Sequence, residues 1–255
     1  MTREPLVALN DVTVRFPSGP FWARRQLDAV KRVNLGVNHG ETLGLVGESG
    51  SGKSTIGKLC LGLMRPTSGA VRMGEREVFG LGKRSPGHLS AVLQYPEWSL
   101  NPRMTVAKSV TEPLRVAGVT GAQAEARIEA MLARVGLTPD HARRYPRQLS
   151  GGQRQRVSIA RALVTSPKFI VFDEAVSALD MSVQAQILEL IRSLQDEMKF
   201  AALFISHDLG AVRSLAHSIA VLRRGELVDW APTRKYYAET GIDYVDALLK
   251  ASDLI

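Results

Sequence analysis

One short run constrains this chain more than any other: Gly47-Glu48-Ser49-Gly50-Ser51-Gly52-Lys53-Ser54-Thr55, which fits G-x-x-x-x-G-K-[ST]. The glycines let the backbone bend so that successive N–H groups turn inward toward phosphate oxygens. Lys53 adds a point charge for the β- and γ-phosphates, and Ser54 offers a hydroxyl to Mg²⁺. The helix that follows directs its positive end at the anion. A flexible glycine turn is the plainer explanation, but a chance match in a chain of this length has a probability of roughly one per cent. Context decides between them. Thr42 to Val46 reads as a nearly all-apolar, central strand before the run, and a helix from Lys53 to about Met64 follows it.

Strand and helix signals alternate along most of the remainder. Leu6 to Phe16 alternates apolar and polar residues (Val12, Val14 and Phe16 against Asp11, Thr13 and Arg15), and Pro17-Ser18-Gly19-Pro20 breaks it. Val33 to Val37, Gly69 to Met73, Leu89 to Gln94, Phe169 to Phe172 and Ala201 to Ile205 read as further strands. Val183 to Met198 reads as an amphipathic helix with Ile187, Leu190, Ile191, Leu194 and Met198 on its apolar face. Another helix is expected from about Leu209, then a hairpin from Ile219 to Val228 turning at Arg223-Arg224-Gly225. The tail from Tyr236 reads as helical. From about Pro102 to Leu163 only helical spacing appears, in Val106, Val110 and Leu114 and in Ile128, Met131, Leu132 and Val135. The alternation predicts an α/β fold with a mainly parallel, layered core and right-handed crossovers, and a helical insertion beside it.

The bulk properties narrow the function classes. At 255 residues and 45% hydrophobic, the chain has ample material for a buried core. Its net charge of +8 is spread in pairs such as Arg24-Arg25 and Arg143-Arg144 rather than in a run, so it reads mainly as solvated surface, with membrane proximity second. The single cysteine, Cys60, excludes an internal disulfide and a cysteine-built metal site, and its leucine neighbours mark it as a core residue. Met1 to Asn10 lacks a signal pattern, and no apolar run reaches the ~18 residues that span a bilayer. The expectation is a cytosolic chain whose membrane work runs through a partner.

Two more constellations carry chemistry. Phe169-Ile170-Val171-Phe172-Asp173-Glu174 is an apolar strand ending in adjacent carboxylates. Asp173 can reach Mg²⁺ through water, and Glu174 can polarise an attacking water as general base. Paired acids at a strand end are ordinary surface charge unless a phosphate loop accompanies them, as it does here. Leu149-Ser150-Gly151-Gly152-Gln153 opens a helix through Arg156, Ile159 and Leu163. Ser150 is a natural N-cap, and the glycines leave N–H groups bare for an anion. It reads as a second phosphate-binding element with no lysine loop of its own.

At this point the chain resembles the ATP-binding cassette family across essentially its whole length. Leu149 to Gln153 matches the family's signature sequence, and the separation from Lys53 to Ser150 matches that of transporter ATPases. The resemblance implies a loop glutamine at Gln94 contacting Mg²⁺ and water, and a loop at Ser177-Ala178-Leu179-Asp180 that crosses to a second subunit. It also implies a γ-phosphate-holding histidine at His207 and an adenine-stacking aromatic at Phe16, with Phe21 or Trp22 as alternatives. The fold implied is a phosphate-loop core with a mainly parallel sheet, an N-terminal antiparallel β subdomain and an α-helical signature subdomain. One nucleotide-binding domain would fill residues 1–255, with the core and β subdomain at about 1–96 and 164–255 and the helical subdomain at about 97–163.

The same resemblance implies ATP and Mg²⁺ as cofactors, with Ser54, Gln94 and Asp173 toward the metal. It implies a head-to-tail dimer with the same chain or a paralogue, in which Ser150, Gly151, Gly152, Gln153 and Asp180 serve the partner's nucleotide. The segments Leu93-Gln94-Tyr95-Pro96, Ser99 to Val106 and Asp173 to Gln186 resemble oligopeptide, dipeptide and nickel importers, and Ala175 leans weakly toward nickel. Two transmembrane permease subunits, an extracytoplasmic solute-binding protein and a peripheral place on the cytoplasmic face of the cell membrane are implied in turn. Trp98 and Leu100 are expected either as exposed partner contacts or as local packing. The rival is an ATPase subunit of a soluble enzyme or nucleic-acid complex; the spacing leaves no room for the coiled coils of repair proteins, and no nucleic acid is expected.

Overall fold

The computed structural model describes residues 4–18, 25–80, 85–238 and 240–251, so Phe21 and Trp22 lie outside the described residues. In chain order the strands are β1 (Val7–Ser18), β2 (Arg25–Val37), β3 (Thr42–Val46), β4 (Ser68–Met73), β5 (Arg76–Glu77), β6 (Leu89–Leu93), β7 (Phe169–Asp173), β8 (Ala201–Ile205), β9 (Ser218–Arg223) and β10 (Glu226–Pro232). The helices are α1 (Lys53–Cys60), α2 (Pro96–Ser99), α3 (Val106–Val116), α4 (Gly121–Arg134), α5 (Pro139–Arg143), α6 (Gly151–Leu163), α7 (Met181–Met198), α8 (Leu209–Leu215) and α9 (Asp243–Ala251). They gather into two compact units, one from the described residues of Met1–Leu81 and Ala201–Ile255, the other from those of Gly82–Phe200.

The first unit holds two sets of strands. An antiparallel sheet runs in the order β2-β1-β4-β5. Its buried residues switch from Val7 and Leu9 to Val12 and Val14, which strict alternation forbids. The cause is a bulge: the register slips between Leu9 and Val12, and Asp11 and the facing Arg32 both take φ 48°. An Arg32–Asp11 ion pair of 2.9 Å spans the slip. The other set runs β10-β9-β3-β8, with β3 parallel to both β8 and β9. β3 and β8 are buried at every position, which explains their unbroken apolar runs. The β9–β10 hairpin turns through Arg224 and Gly225, both at positive φ, as a tight turn requires.

The second unit pairs β6 and β7 in parallel and holds α2 to α7. The helical spacing is borne out: Val106, Val110 and Leu114 of α3 and Ile128, Met131 and Leu132 of α4 are buried. Three expectations need correction. α1 ends at Cys60, where Gly62 (φ 68°) turns the chain before Met64. The core face of α7 is Ile187, Leu188, Ile191, Leu194 and Gln195, while Leu190 and Met198 are only half-buried. Leu100 is 2% exposed and belongs to the core, so of its two readings the partner contact falls and local packing holds. The side chain of Trp98 lies outside the described positions. Among the described residues, no helix is long and apolar enough to cross a membrane.

Candidate functional site

In the first unit the phosphate loop leaves the end of β3. Gly47, Gly50 and Gly52 take φ 148°, 77° and 108°. A Cβ on Gly47 would lie 2.1 Å from the Leu222 carbonyl oxygen, and one on Gly52 would lie 2.4 Å from that of Ala29. The loop is therefore pressed against neighbouring backbone at positions only glycine can occupy. Lys53 is buried and curls back, its Nζ donating to the carbonyls of Gly47 at 2.7 Å and Glu48 at 2.8 Å. Gly52 is the N-cap of α1 and supplies no side-chain cap bond. The positive end of that helix therefore faces the loop with no side chain set across it as a cap. Ser51 Oγ, also in the loop, is buried and has no hydrogen-bond partner. An orphaned Ser51 hydroxyl, a helix N-terminus and a lysine at the loop's end fit a polyphosphate such as ATP.

His207 is brought beside this loop. β3 and β8 run parallel with Leu45 facing Ile205, and the Ser206 N–H donates to the Leu45 carbonyl at 3.3 Å. The chain is then fixed by Asp208, whose carboxylate accepts from the Ala211 N–H at 3.0 Å and caps α8. Backbone on either side of His207 is held while its ring is exposed. Phe16 stands on β1, 39% exposed, paired with the more exposed Leu27 of β2. That is a partly open apolar step on which a flat ring can rest.

In the second unit the parallel β6–β7 pairing sets Leu93 opposite Asp173, which brings Gln94 and Glu174 to the same end of the two strands. Gln94 Nε2 donates to Ser177 Oγ at 3.1 Å, and Ser177 Oγ donates to the Glu174 carbonyl at 3.0 Å. The Gln94 amide is thereby turned so that its oxygen remains the face offered to a cation. Gln94, Asp173 and, in the first unit, Ser54 are hard oxygen donors of the kind Mg²⁺ takes. Glu174 has φ 50°, a conformation non-glycine residues hold at a cost of about 1–3 kcal/mol and chiefly at functional sites. Buried Ala175 and Val176 and the Ser177 N–H bond back to the Glu174 carbonyl keep it there.

The signature turn lies in the same unit. Ser150 caps α6 through the Gln153 N–H at 3.2 Å, and Gln153 Oε1 accepts from the Ser150 N–H at 3.0 Å. Gln153 is thus tied up as a capping residue. A Cβ on Gly152 would lie 2.7 Å from Val183 Cγ1, so this helix end rests directly on the start of α7. There Asp180 accepts from the Val183 N–H at 2.9 Å and from Ser182 Oγ at 2.7 Å. These bonds, the Val183 N–H first, hold its carboxyl below the usual carboxylate range. Ser150, Gly151, Gly152, Gln153 and Asp180 accordingly form one cluster of capped helix ends.

Three contributors escaped the sequence reading. Ser177 appeared there only as part of a loop motif, yet its hydroxyl joins Gln94 to Glu174. Arg154 donates to the Leu149 carbonyl at 2.6 Å and pairs with Glu97 at 3.1 Å, while Arg161 donates to the Ser99 carbonyl at 2.9 Å. Together they fasten α2, the continuation of the Gln94 loop, to the signature helix. The seven-residue spacing of two arginines on one helix face was the available signal.

Comparison with known proteins shows the family. The family model described as ABC transporter matches residues 30–177. The chain is 43% identical over 255 residues to a putative peptide import ATP-binding protein of Brucella abortus, covering 97% of this chain and 76% of that protein. It is 44% identical over 256 residues to the glutathione import ATP-binding protein GsiA of Salmonella typhimurium, covering 97% of this chain but 41% of that protein. Among solved structures, a bacterial ABC transporter cassette in dimeric form superposes with TM-score 0.77 at 29% identity, over 89% of this chain and 99% of the cassette. The same cassette is known in a post-hydrolysis state bound to ADP and Pi.

Proposed function

The chain belongs to the ABC transporter family and is an ATPase, and we propose that it drives import of a short peptide through membrane-spanning partner subunits. The observation that carries the reading is the phosphate loop with Lys53 curled onto the Gly47 and Glu48 carbonyls and Ser51 Oγ left unbonded. MgATP supplies the labile phosphoanhydride and the counter-charge on its oxygens.

The chain's own residues divide the remaining work. Phe16 stacks on the adenine, and the backbone from Gly47 through Glu48, Ser49, Gly50, Ser51 and Gly52 to Thr55 frames the phosphates. Lys53 neutralises charge that grows on the γ-phosphoryl oxygens, where fixed charge is worth most. Ser54, Gln94 and Asp173 are the residues that would hold Mg²⁺. Glu174 accepts the proton of the attacking water, and its strained, pinned backbone keeps the carboxylate in place. His207 holds the γ-phosphate by a hydrogen bond.

Ser150, Gly151, Gly152, Gln153 and Asp180 serve a nucleotide held by a second subunit, a copy or a paralogue, in a head-to-tail dimer. A capped helix end without a lysine loop supports that division. We place one nucleotide-binding domain over 1–255, with its core and β subdomain at about 1–96 and 164–255 and its helical subdomain at about 97–163. Two permease subunits, an extracytoplasmic solute-binding protein and a peripheral position on the cytoplasmic face complete the assembly. The names of the relatives support a peptide-like cargo; a nickel chelate has only Ala175 in its favour, and that residue is buried.

Hydrolysis by the purified chain, with and without candidate permeases in lipid, tests the reading. Stimulation by the permeases, lowered about 10²- to 10⁴-fold by Glu174→Gln while ATP still binds, is the expected result. Hydrolysis that ignores permeases and answers instead to nucleic acid or a soluble enzyme would refute the transport role.

A further inference from the structure

The short C-terminal helix α9 reaches back to the phosphate loop. Its start is fixed by Asp246, whose carboxylate accepts from the Thr240 N–H at 2.6 Å, Thr240 Oγ1 at 2.8 Å and the Gly241 N–H at 3.1 Å. Buried Val245 and Leu249 anchor its inner face. This places Tyr244, the second residue of the helix, with its ring under the Arg223 guanidinium at 4.5 Å and its hydroxyl oxygen accepting from the Glu48 N–H at 3.3 Å.

Glu48 is, with Gly47, one of the two residues that hold Lys53. Its carbonyl accepts from Lys53 Nζ at 2.8 Å and from the Ser51 N–H at 3.1 Å. Its N–H is the backbone group on its other side, and Tyr244 is the side chain that engages it. Both backbone groups of Glu48 are therefore pinned, one by the lysine that meets the phosphates and one by the tail. We propose that Tyr244 is a positioning residue for nucleotide binding: by holding Glu48 it pre-orders the loop and with it Lys53. This rests on the reading of the loop as an ATP site, and it gives the tail helix a role in that site.

The physical logic is one of pre-organisation. A loop already held in its binding shape gives up less conformational freedom when the ligand arrives. Removing one neutral hydrogen bond should weaken binding roughly 2- to 10-fold and leave the chemical step alone, because Tyr244 touches neither the water nor the phosphates.

Tyr244→Phe keeps the ring against Arg223 and deletes only the acceptor. In the purified full chain with MgATP, KM should rise about 2- to 10-fold at unchanged kcat. Hydrogen exchange at the Glu48 amide should quicken, with the thermal midpoint unchanged. A Tyr244→Phe protein with wild-type KM and wild-type Glu48 exchange would overturn the proposal and leave the ATPase reading standing. So would a fall in kcat with KM unchanged and a lowered midpoint, which marks a structural role only. If wild type itself failed to hydrolyse ATP, the ATPase reading would fall and this role with it.

Discussion

The phosphate loop and the signature turn are both glycine-rich turns that open a helix, yet they are built on different physics. In the loop, Gly47 and Gly52 sit at left-handed φ with backbone carbonyls 2.1 and 2.4 Å from where a Cβ would be. The helix that follows has no side-chain cap, and the lysine folds inward. In the signature turn, Gly151 and Gly152 already belong to α6, Ser150 and Gln153 form a reciprocal capping box, and no lysine is present. The first is a backbone shape that glycine alone adopts freely, set against neighbouring backbone. The second is a capped helix end whose Gly152 lies directly against Val183 of α7. Glycine is required for backbone shape in one case and, at Gly152, for close packing in the other.

Alanine substitutions separate the two most sharply. Gly47→Ala should cost at least about 1–3 kcal/mol through its φ alone, before the overlap with Leu222, and should abolish ATP binding. Gly151→Ala has its nearest neighbour, Leu179 Cδ2, at 3.9 Å. It should leave stability unchanged or raised by up to about 0.5–1 kcal/mol, since alanine favours the helix. Denaturation midpoints and nucleotide titrations of both variants read the contrast; equal losses would erase it.

Ser150→Ala tests whether the signature end is indeed complete in itself. Loss of the cap should cost about 1 kcal/mol, or roughly 2–4 °C in Tm for a chain of this size. Binding of ATP to the isolated chain should not change, and a fall in affinity would show that Ser150 acts on its own subunit's nucleotide.

The smallest effect concerns Asp180, the neighbouring cap. Its folded-state pKa lies below the ordinary value, so the stability it adds is present above about pH 3.9 and is lost as pH falls through the lowered value. Wild type and Asp180→Asn should therefore differ in Tm near neutral pH and converge on acidification. A difference that persisted or grew at low pH would contradict the assigned hydrogen bonds.

Much of this was legible beforehand where the signal is local. The strand–loop–helix unit around Lys53, the apolar strand ending at Asp173 and the cap at Ser150 depend on neighbours a few residues away, and each stands as expected. Readings that depended on which face of an element is covered fared worse. Leu100 could be read as a partner contact or as packing until its burial decided it, and the core face of α7 includes Leu188 and Gln195 where spacing pointed to Leu190 and Met198. An apolar periodicity identifies a stripe, but its edges are set by whatever packs against it.

By itself, then, the order of residues determined the class of fold, the shape of the phosphate loop and the caps of the helices beside it, because glycine φ freedom, helix caps and apolar runs act over short range. Only the tertiary structure decided the bulge at Asp11 and Arg32 that re-phases β1, the Ser177 bridge from Gln94 to Glu174, and the return of Tyr244 to Glu48 across 196 positions. Those contacts join segments remote in sequence. Nothing in either segment's own composition encodes such a partner; it is settled when the strands pair and the core closes.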